Sequence, residues 1–131
     1  MMETALRKAL VDWLADDPLL SVALNTITEE APARTAPPWL GIAASASTDW
    51  SAKDRRGREV RVAVELHTRG DEPGESGSLA ALVEDRIESL PLAQDGFSVV
   101  TTTFLRARSE QRARNTRAVL MEYRFRLLET A

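Results

Sequence analysis

The chain has 131 residues, 44% of them apolar and 28% charged, with a formal net charge of −3. That is the size of one domain, large enough to bury roughly two-thirds of its unfolded surface in a core. The absence of cysteine excludes a disulfide framework, a thiol nucleophile and a thiolate metal site, and a single histidine, His67, excludes a multi-histidine metal centre.

No apolar run approaches the ~20 residues that span a bilayer. The opening MMETALRKAL meets a Glu at once and has no small-residue cleavage site. The expectation is one soluble, cytoplasmic domain over residues 1–131. Charge is unevenly placed. Residues 1–100 carry 10 basic and 17 acidic side chains, whereas residues 101–131 carry 7 basic and 3 acidic. Arg outnumbers Lys 15 to 2. A GC-rich genome gives that bias, and so does selection for the planar guanidinium at interfaces.

In chain order, Leu6, Ala9, Leu10, Trp13 and Leu14 recur at three- and four-residue spacing, which predicts an amphipathic helix over 3–15. Asp17 before Pro18 is a helix cap followed by a first-turn proline, so 18–24 reads as a second, short helix. Thr26-Ile27-Thr28 can form a brief strand, and the three prolines of 31–38 make a loop.

From Trp39 the period changes. Val60, Val62, Val64 and Leu66 alternate with Arg61, Ala63, Glu65 and His67, the pattern of a half-buried strand. Residues 39–68 therefore read as an antiparallel pair with a long exposed tip over 49–57. Residues 69–77 read as a polar linker. Ser76 or Ser78 is placed to cap a helix over 78–90, whose Leu79, Leu82, Val83, Ile87 and Leu90 form one stripe before Pro91. Residues 97–106 and 117–128 read as the two longest strands, joined by 107–116. Val119, Met121, Tyr123, Phe125 and Leu127 line one face of the second.

The predicted fold class is α+β: a single antiparallel sheet of about four strands, in α-β-β-α-β-β order. The N-terminal helix and a second helix pack on one of its faces.

No catalytic constellation is visible. His67 has no identifiable nucleophile beside it, the carboxylates are scattered, and Gly74-Glu75-Ser76-Gly77 lacks the lysine of a phosphate loop. Arg69-Gly70-Asp71 matches a cell-adhesion tripeptide, but three residues carry little information. Two features stand out instead. Arg106, Arg108, Arg112, Arg114 and Arg117 lie within twelve residues, with Glu110 the only acid among them. They read either as a solvated hairpin end or as a positive arm that meets an acidic surface or a phosphate backbone. The second feature is Trp50, a large aromatic at a hairpin tip beside Lys53, Arg55 and Arg56. It either folds back onto the core or serves an interface.

In order and spacing the chain resembles the tail-completion, or tail-terminator, proteins of long non-contractile-tailed phages and gene transfer agents, from about Glu3 to Leu128. The residues that carry this are the opening Ala5-Leu6…Ala9-Leu10…Leu14, then Asp17-Pro18-Leu19, Pro38-Trp39-Leu40 and Thr48-Asp49-Trp50 with Lys53 and Arg56-Gly57. Val62 through Arg69, Leu92, Asp95-Gly96 and Tyr123-Arg124-Phe125-Arg126 follow.

The resemblance implies a structural virion protein without cofactor, metal or catalytic residue. It implies a homo-oligomeric ring, a hexamer, on the head-proximal end of the tail, assembled in the bacterial host cytoplasm. Such a ring contacts the tail tube protein and the head–tail connector proteins, and DNA passes through its bore as transiting cargo. The expected contact residues are Trp50, Lys53, Arg55, Arg56, Arg106, Arg108, Arg112, Arg114 and Arg117. Two other readings stay open on the residues alone. One is a small nucleic-acid-binding module using the Arg-rich hairpin 106–117, and the other is an enzyme using His67.

Overall fold

The structure, a computed structural model, describes residues 1–30, 32, 34–70 and 73–130. Helix α1 spans Met2–Ala15 and buries Leu6, Leu10 and Leu14, one residue per turn on a single face. Asp17 ends the polar break after it. Its Oδ1 accepts from the backbone N–H groups of Leu19 (2.8 Å) and Leu20 (3.1 Å), which fixes the start of α2 (Pro18–Ala23). Both N-terminal helices match the spacing of their apolar residues.

Five strands follow: β1 (Thr26–Thr28), β2 (Trp39–Asp49), β3 (Gly57–Arg69), β4 (Phe97–Arg112) and β5 (Thr116–Glu129), with α3 (Pro73–Glu88) between β3 and β4. They form one sheet in the order β1-β2-β3-β5-β4. β1 runs parallel to β2, and every other pairing is antiparallel. The sheet is thus mixed and five-stranded, with three helices, where the predicted fold class had about four antiparallel strands with two helices on one face; the short helix and the brief strand expected at Thr26–Thr28 are both present. Thr26–Thr28 joins because its three residues lie against Trp39–Gly41 in register. Periodicity cannot reveal that, since three residues hold too little pattern.

Two further expectations are corrected. The helix expected over 78–90 begins five residues earlier, so most of the stretch read as a linker is helical; Asp71 and Glu72 lie outside the described residues. Ser76 and Ser78 are inside α3, not at its cap. The Ser78 hydroxyl donates to the Gly74 carbonyl at 3.0 Å, the back-bond of a serine within a helix. The stretch 107–116, expected as a connection, is mostly strand. The loop expected over 31–38 is irregular where described, with Ala31 and Ala33 outside the described residues.

The core lies between the helices and one face of the sheet. Val60, Val62, Val64 and Leu66 of β3 stand beside Phe125, Tyr123, Met121 and Val119 of β5 in register, and all eight are buried. Each such side chain contributes about 1.5–3 kcal/mol of apolar burial. α1 and α3 are clamped together over this face. The Trp13 indole N–H donates to the Arg86 carbonyl (2.8 Å), Arg86 Nε donates to the Trp13 carbonyl (2.9 Å), and the guanidinium lies 3.4 Å above the indole ring. The opposite face of the sheet carries no helix among the described residues.

Candidate interaction surfaces

The helix-free face is built by alternation. From Glu59 to His67, each residue of β3 that points away from the helices has partners in register on both sides. The rows across β2, β3, β5 and β4 run Ala44–Ala63–Glu122–Arg106 and Gly41–Glu65–Leu120–Arg108, and at one end Thr48–Glu59–Arg126–Thr101. Opposite charges therefore meet as cross-strand pairs.

Most of the arginine cluster is engaged on this face. Arg106 Nε donates to Glu122 Oε2 at 2.6 Å and its Nη2 to Oε1 at 3.3 Å. Arg108 pairs with Glu110 at 3.0 Å. Arg112 forks between Glu110 (2.9 Å) and Glu65 (3.0 Å). Arg117 Nε donates to the Gly70 carbonyl at 3.4 Å. The guanidinium of Arg106 holds the Glu122 carboxyl below the usual range, and that of Arg112 does the same for Glu110. In return both guanidinium groups are held more firmly protonated. Within the twelve-residue stretch Glu110 is the only acid, as read. In space the sheet adds Glu65 and Glu122, from other strands. A signal for this existed in the alternation of β3 and β5, but it could be used only with their register.

Arg114 is different. It sits at the tip of the β4–β5 hairpin with φ 61°, next to Asn115 at 58°, and has no ion-pair or hydrogen-bond partner among the described residues. Two consecutive left-handed residues form the two-residue turn whose twist suits a hairpin. The arm does not stand clear of the domain along its length. β5 pairs with β3 from Gly57↔Leu128 to Arg69↔Thr116, so only the turn passes the end of β3.

The other hairpin tip, 50–56, is stapled by paired bonds between Ala52 and Arg55 and by the Trp50 N–H donating to the Gly57 carbonyl at 3.0 Å. Trp50 is half-buried, with the Arg126 guanidinium 5.6 Å from its ring centre. Lys53, Arg55 and Arg56 are exposed and carry no ion pair among the described residues. The structure does not bring the two tips together. β3 starts beside the first and ends beside the second, and its thirteen residues separate them by about 40 Å.

His67 faces the helix-free side. Its Nε2 is 2.6 Å from Glu65 Oε1, and its ring stacks on Trp39 at 4.1 Å and 10°. Among the described residues no hydroxyl is hydrogen-bonded to it. Among the described residues no three His, Asp or Glu side chains are grouped to hold a metal ion, and no helix is long and apolar enough to cross a membrane.

A family model described as "Tail completion protein gp17" matches residues 8–128. Two solved structures share the fold. A chain from the virion of a native gene transfer agent particle superposes with a TM-score of 0.82 at 21% identity, covering 96% of each chain. The gp17 protein of bacteriophage SPP1 superposes with a TM-score of 0.69 at 21% identity, covering 95% of this chain and 89% of that one. Among curated protein sequences, none matches the chain.

Proposed function

Because the chain belongs to the tail completion protein gp17 family, a family of structural tail components, we propose that it is a non-enzymatic tail terminator. In this reading copies of the chain form a closed ring, a hexamer, at the head-proximal end of the tail. The ring stops growth of the tail tube and presents a surface to the head–tail connector, and DNA passes through its bore. It is assembled in the cytoplasm of the bacterial host.

The observation that carries this reading is the family match over residues 8–128, which takes in the C-terminal part of α1, the other two helices, and all five strands but for the last residue of β5. The surface chemistry supports it. A closed ring needs two unlike patches, one meeting the other on the next copy. The basic tip at Lys53, Arg55 and Arg56 and the hairpin turn at Arg114 lie at opposite ends of the sheet; both are positive, so each is suited to meet an acidic surface on a neighbouring copy or partner and not the other tip. Trp50 beside the first tip, Arg112 and Arg117 beside the second, and Arg106 and Arg108 on the sheet between them complete the proposed contact set.

Size-exclusion chromatography with light scattering, followed by electron microscopy of the protein mixed with tail tubes, tests the reading. The expected result is a ring of identical subunits capping one tube end. A strict monomer that leaves tubes uncapped and binds duplex DNA with a steep salt dependence would overturn it in favour of the nucleic-acid-binding alternative.

A further inference from the structure

Both long edges of the sheet are open, and they differ. The segment before β4 covers its first residues: the Val99 N–H donates to the Leu92 carbonyl at 2.7 Å and the Gln94 N–H to the Phe97 carbonyl at 3.0 Å. Beyond them β4 pairs, among the described residues, only with β5, so from Val100 onward its outer side offers unpaired backbone groups. On this open edge Val100-Thr101-Thr102-Thr103-Phe104-Leu105 is a run of six residues without charge, proline or glycine. Val100 and Phe104 are each 44% exposed. An uncharged β-branched and aromatic run on an exposed edge is a template for another strand.

The opposite edge is β2. β1 covers it only at Trp39–Gly41, which leaves Ile42 onward open. There Ile42-Ala43-Ala44-Ser45-Ala46-Ser47-Thr48 is a second uncharged run, of seven residues. The two runs occupy the same level of the sheet. Ser45, Val62, Tyr123 and Phe104 share one row, and Ser47, Val60, Phe125 and Thr102 another. Arg106 lies level with Ala44 at the margin of the open β2 run, and Arg108 level with Gly41, where β1 closes off β2. Both edges are uncharged over the same central rows.

We propose that the two edges pair between copies, with Val100–Leu105 of one subunit lying against Ile42–Thr48 of the next. This rests on the self-assembly reading above and names its contact. The strand sense fits. β2 is antiparallel to β3, β3 to β5 and β5 to β4, so β2 and β4 run in opposite directions. A neighbour rotated about an axis near the strand direction meets β4 antiparallel, the stronger pairing. The two edges are unlike, so the contact is head-to-tail and closes when the rotation does. The threonines of β4 meet short Ala and Ser side chains, which allow close backbone approach.

The absence of cysteine makes the test direct. Ala46→Cys is combined in turn with Thr101→Cys, Thr102→Cys and Thr103→Cys. Within one subunit these positions are three strands apart, about 14 Å, beyond the reach of a disulfide. Oxidation is expected to give a ladder of covalent multimers for at least one combination. In a second arm, Val100→Lys and Ala46→Lys, each at an exposed position, are expected to weaken association about ten-fold or more while leaving the circular dichroism of the monomer unchanged.

Oligomers that form normally, resist both lysines and give no cross-link would overturn edge pairing while leaving the terminator reading intact. A protein that stays monomeric at every concentration and gives no cross-link would overturn both.

Discussion

Arg112 on β4 reaches across β5 to Glu65 on β3, with Nη1 3.0 Å from Oε1, while its other terminal nitrogen holds Glu110 at 2.9 Å. The Glu65 side chain is only 13% exposed, and it also contacts His67. One arginine therefore neutralises a largely buried carboxylate two strands away. Arg112→Ala strands that carboxylate and is expected to lower stability by about 1 kcal/mol. Arg114→Ala, at the unpartnered turn, is expected to change it by less than about 0.5 kcal/mol. Urea titrations of the two variants check the contrast. Equal effects would mean that Glu65 is not held by Arg112.

The turn itself gives a prediction of opposite sign. Arg114 has φ 61°, a left-handed conformation that costs a side chain with Cβ and that Asn or Gly adopts more readily. Arg114→Gly is expected to raise stability by roughly 0.5–1 kcal/mol, read as a higher melting temperature. No gain would mean that the turn relaxes to another type in solution.

Gly57 opens β3 where the chain leaves the first tip. A Cβ built there would lie 2.7 Å from the Leu127 carbonyl oxygen and 2.8 Å from the Leu128 side chain, and it would also strike the Trp50 carbonyl. Two of these obstacles are backbone, which cannot swing aside. Gly57→Ala is expected to cost about 2 kcal/mol or more and to free Trp50 from its packing, seen as a shift in tryptophan fluorescence. Gly74→Ala, in open space within α3, serves as the control and should stabilise slightly or not at all.

The legibility of the chain follows from the length of its patterns. α1 carries three buried leucines at four-residue spacing and β3 carries four buried aliphatics at two-residue spacing, so both were readable one residue at a time. β1 has three residues: Thr26-Ile27-Thr28 could be read as a brief strand, but its parallel pairing with β2 shows only in the register. The β4–β5 arm was cut short in the reading because Arg106 to Arg112 looks like a solvated connection. In the sheet those arginines keep the alternation of a strand and find Glu65 and Glu122 across it. The basic residues of both tips were visible in the sequence; that they stand about 40 Å apart was not, because it depends on which strand separates the hairpins.

Val64 sits between Ile42 on β2 and Met121 on β5, 1% exposed. Val64→Asp places an unpaired carboxyl in the apolar layer, and its cost of several kcal/mol approaches the whole stability of a domain this size. The expected outcome is an insoluble or unfolded protein by circular dichroism. Ala63→Asp, one residue along on the helix-free face, is expected to stay folded. Folding of both would reverse the assignment of the two faces.

Acid titration should divide the carboxylates into two groups. Glu122 is held low by its hydrogen bond from Arg106, Glu110 by Arg112, and Glu3 by hydrogen bonding to Ser47 and Ser45. Their folded-state pKa values lie below the ordinary 4.5, so the stability they supply is complete above that pH and is lost as pH falls through the lower, folded value. Glu84 behaves oppositely. Burial, then the charges of Glu88 and Asp85, raise its pKa, so its ionised form opposes folding above that raised value and the penalty vanishes below 4.5. Glu84→Gln is thus expected to raise the melting temperature at pH 7 and to match the parent at pH 4 and below. Glu122→Gln is expected to lower it at pH 7 and to converge with the parent as the pH falls below 4.5. Each effect stays under about 1 kcal/mol because both groups are partly solvated. Thermal melts of the three proteins between pH 3 and pH 7 measure this, and a Glu84→Gln advantage that grows on acidification would contradict the sign.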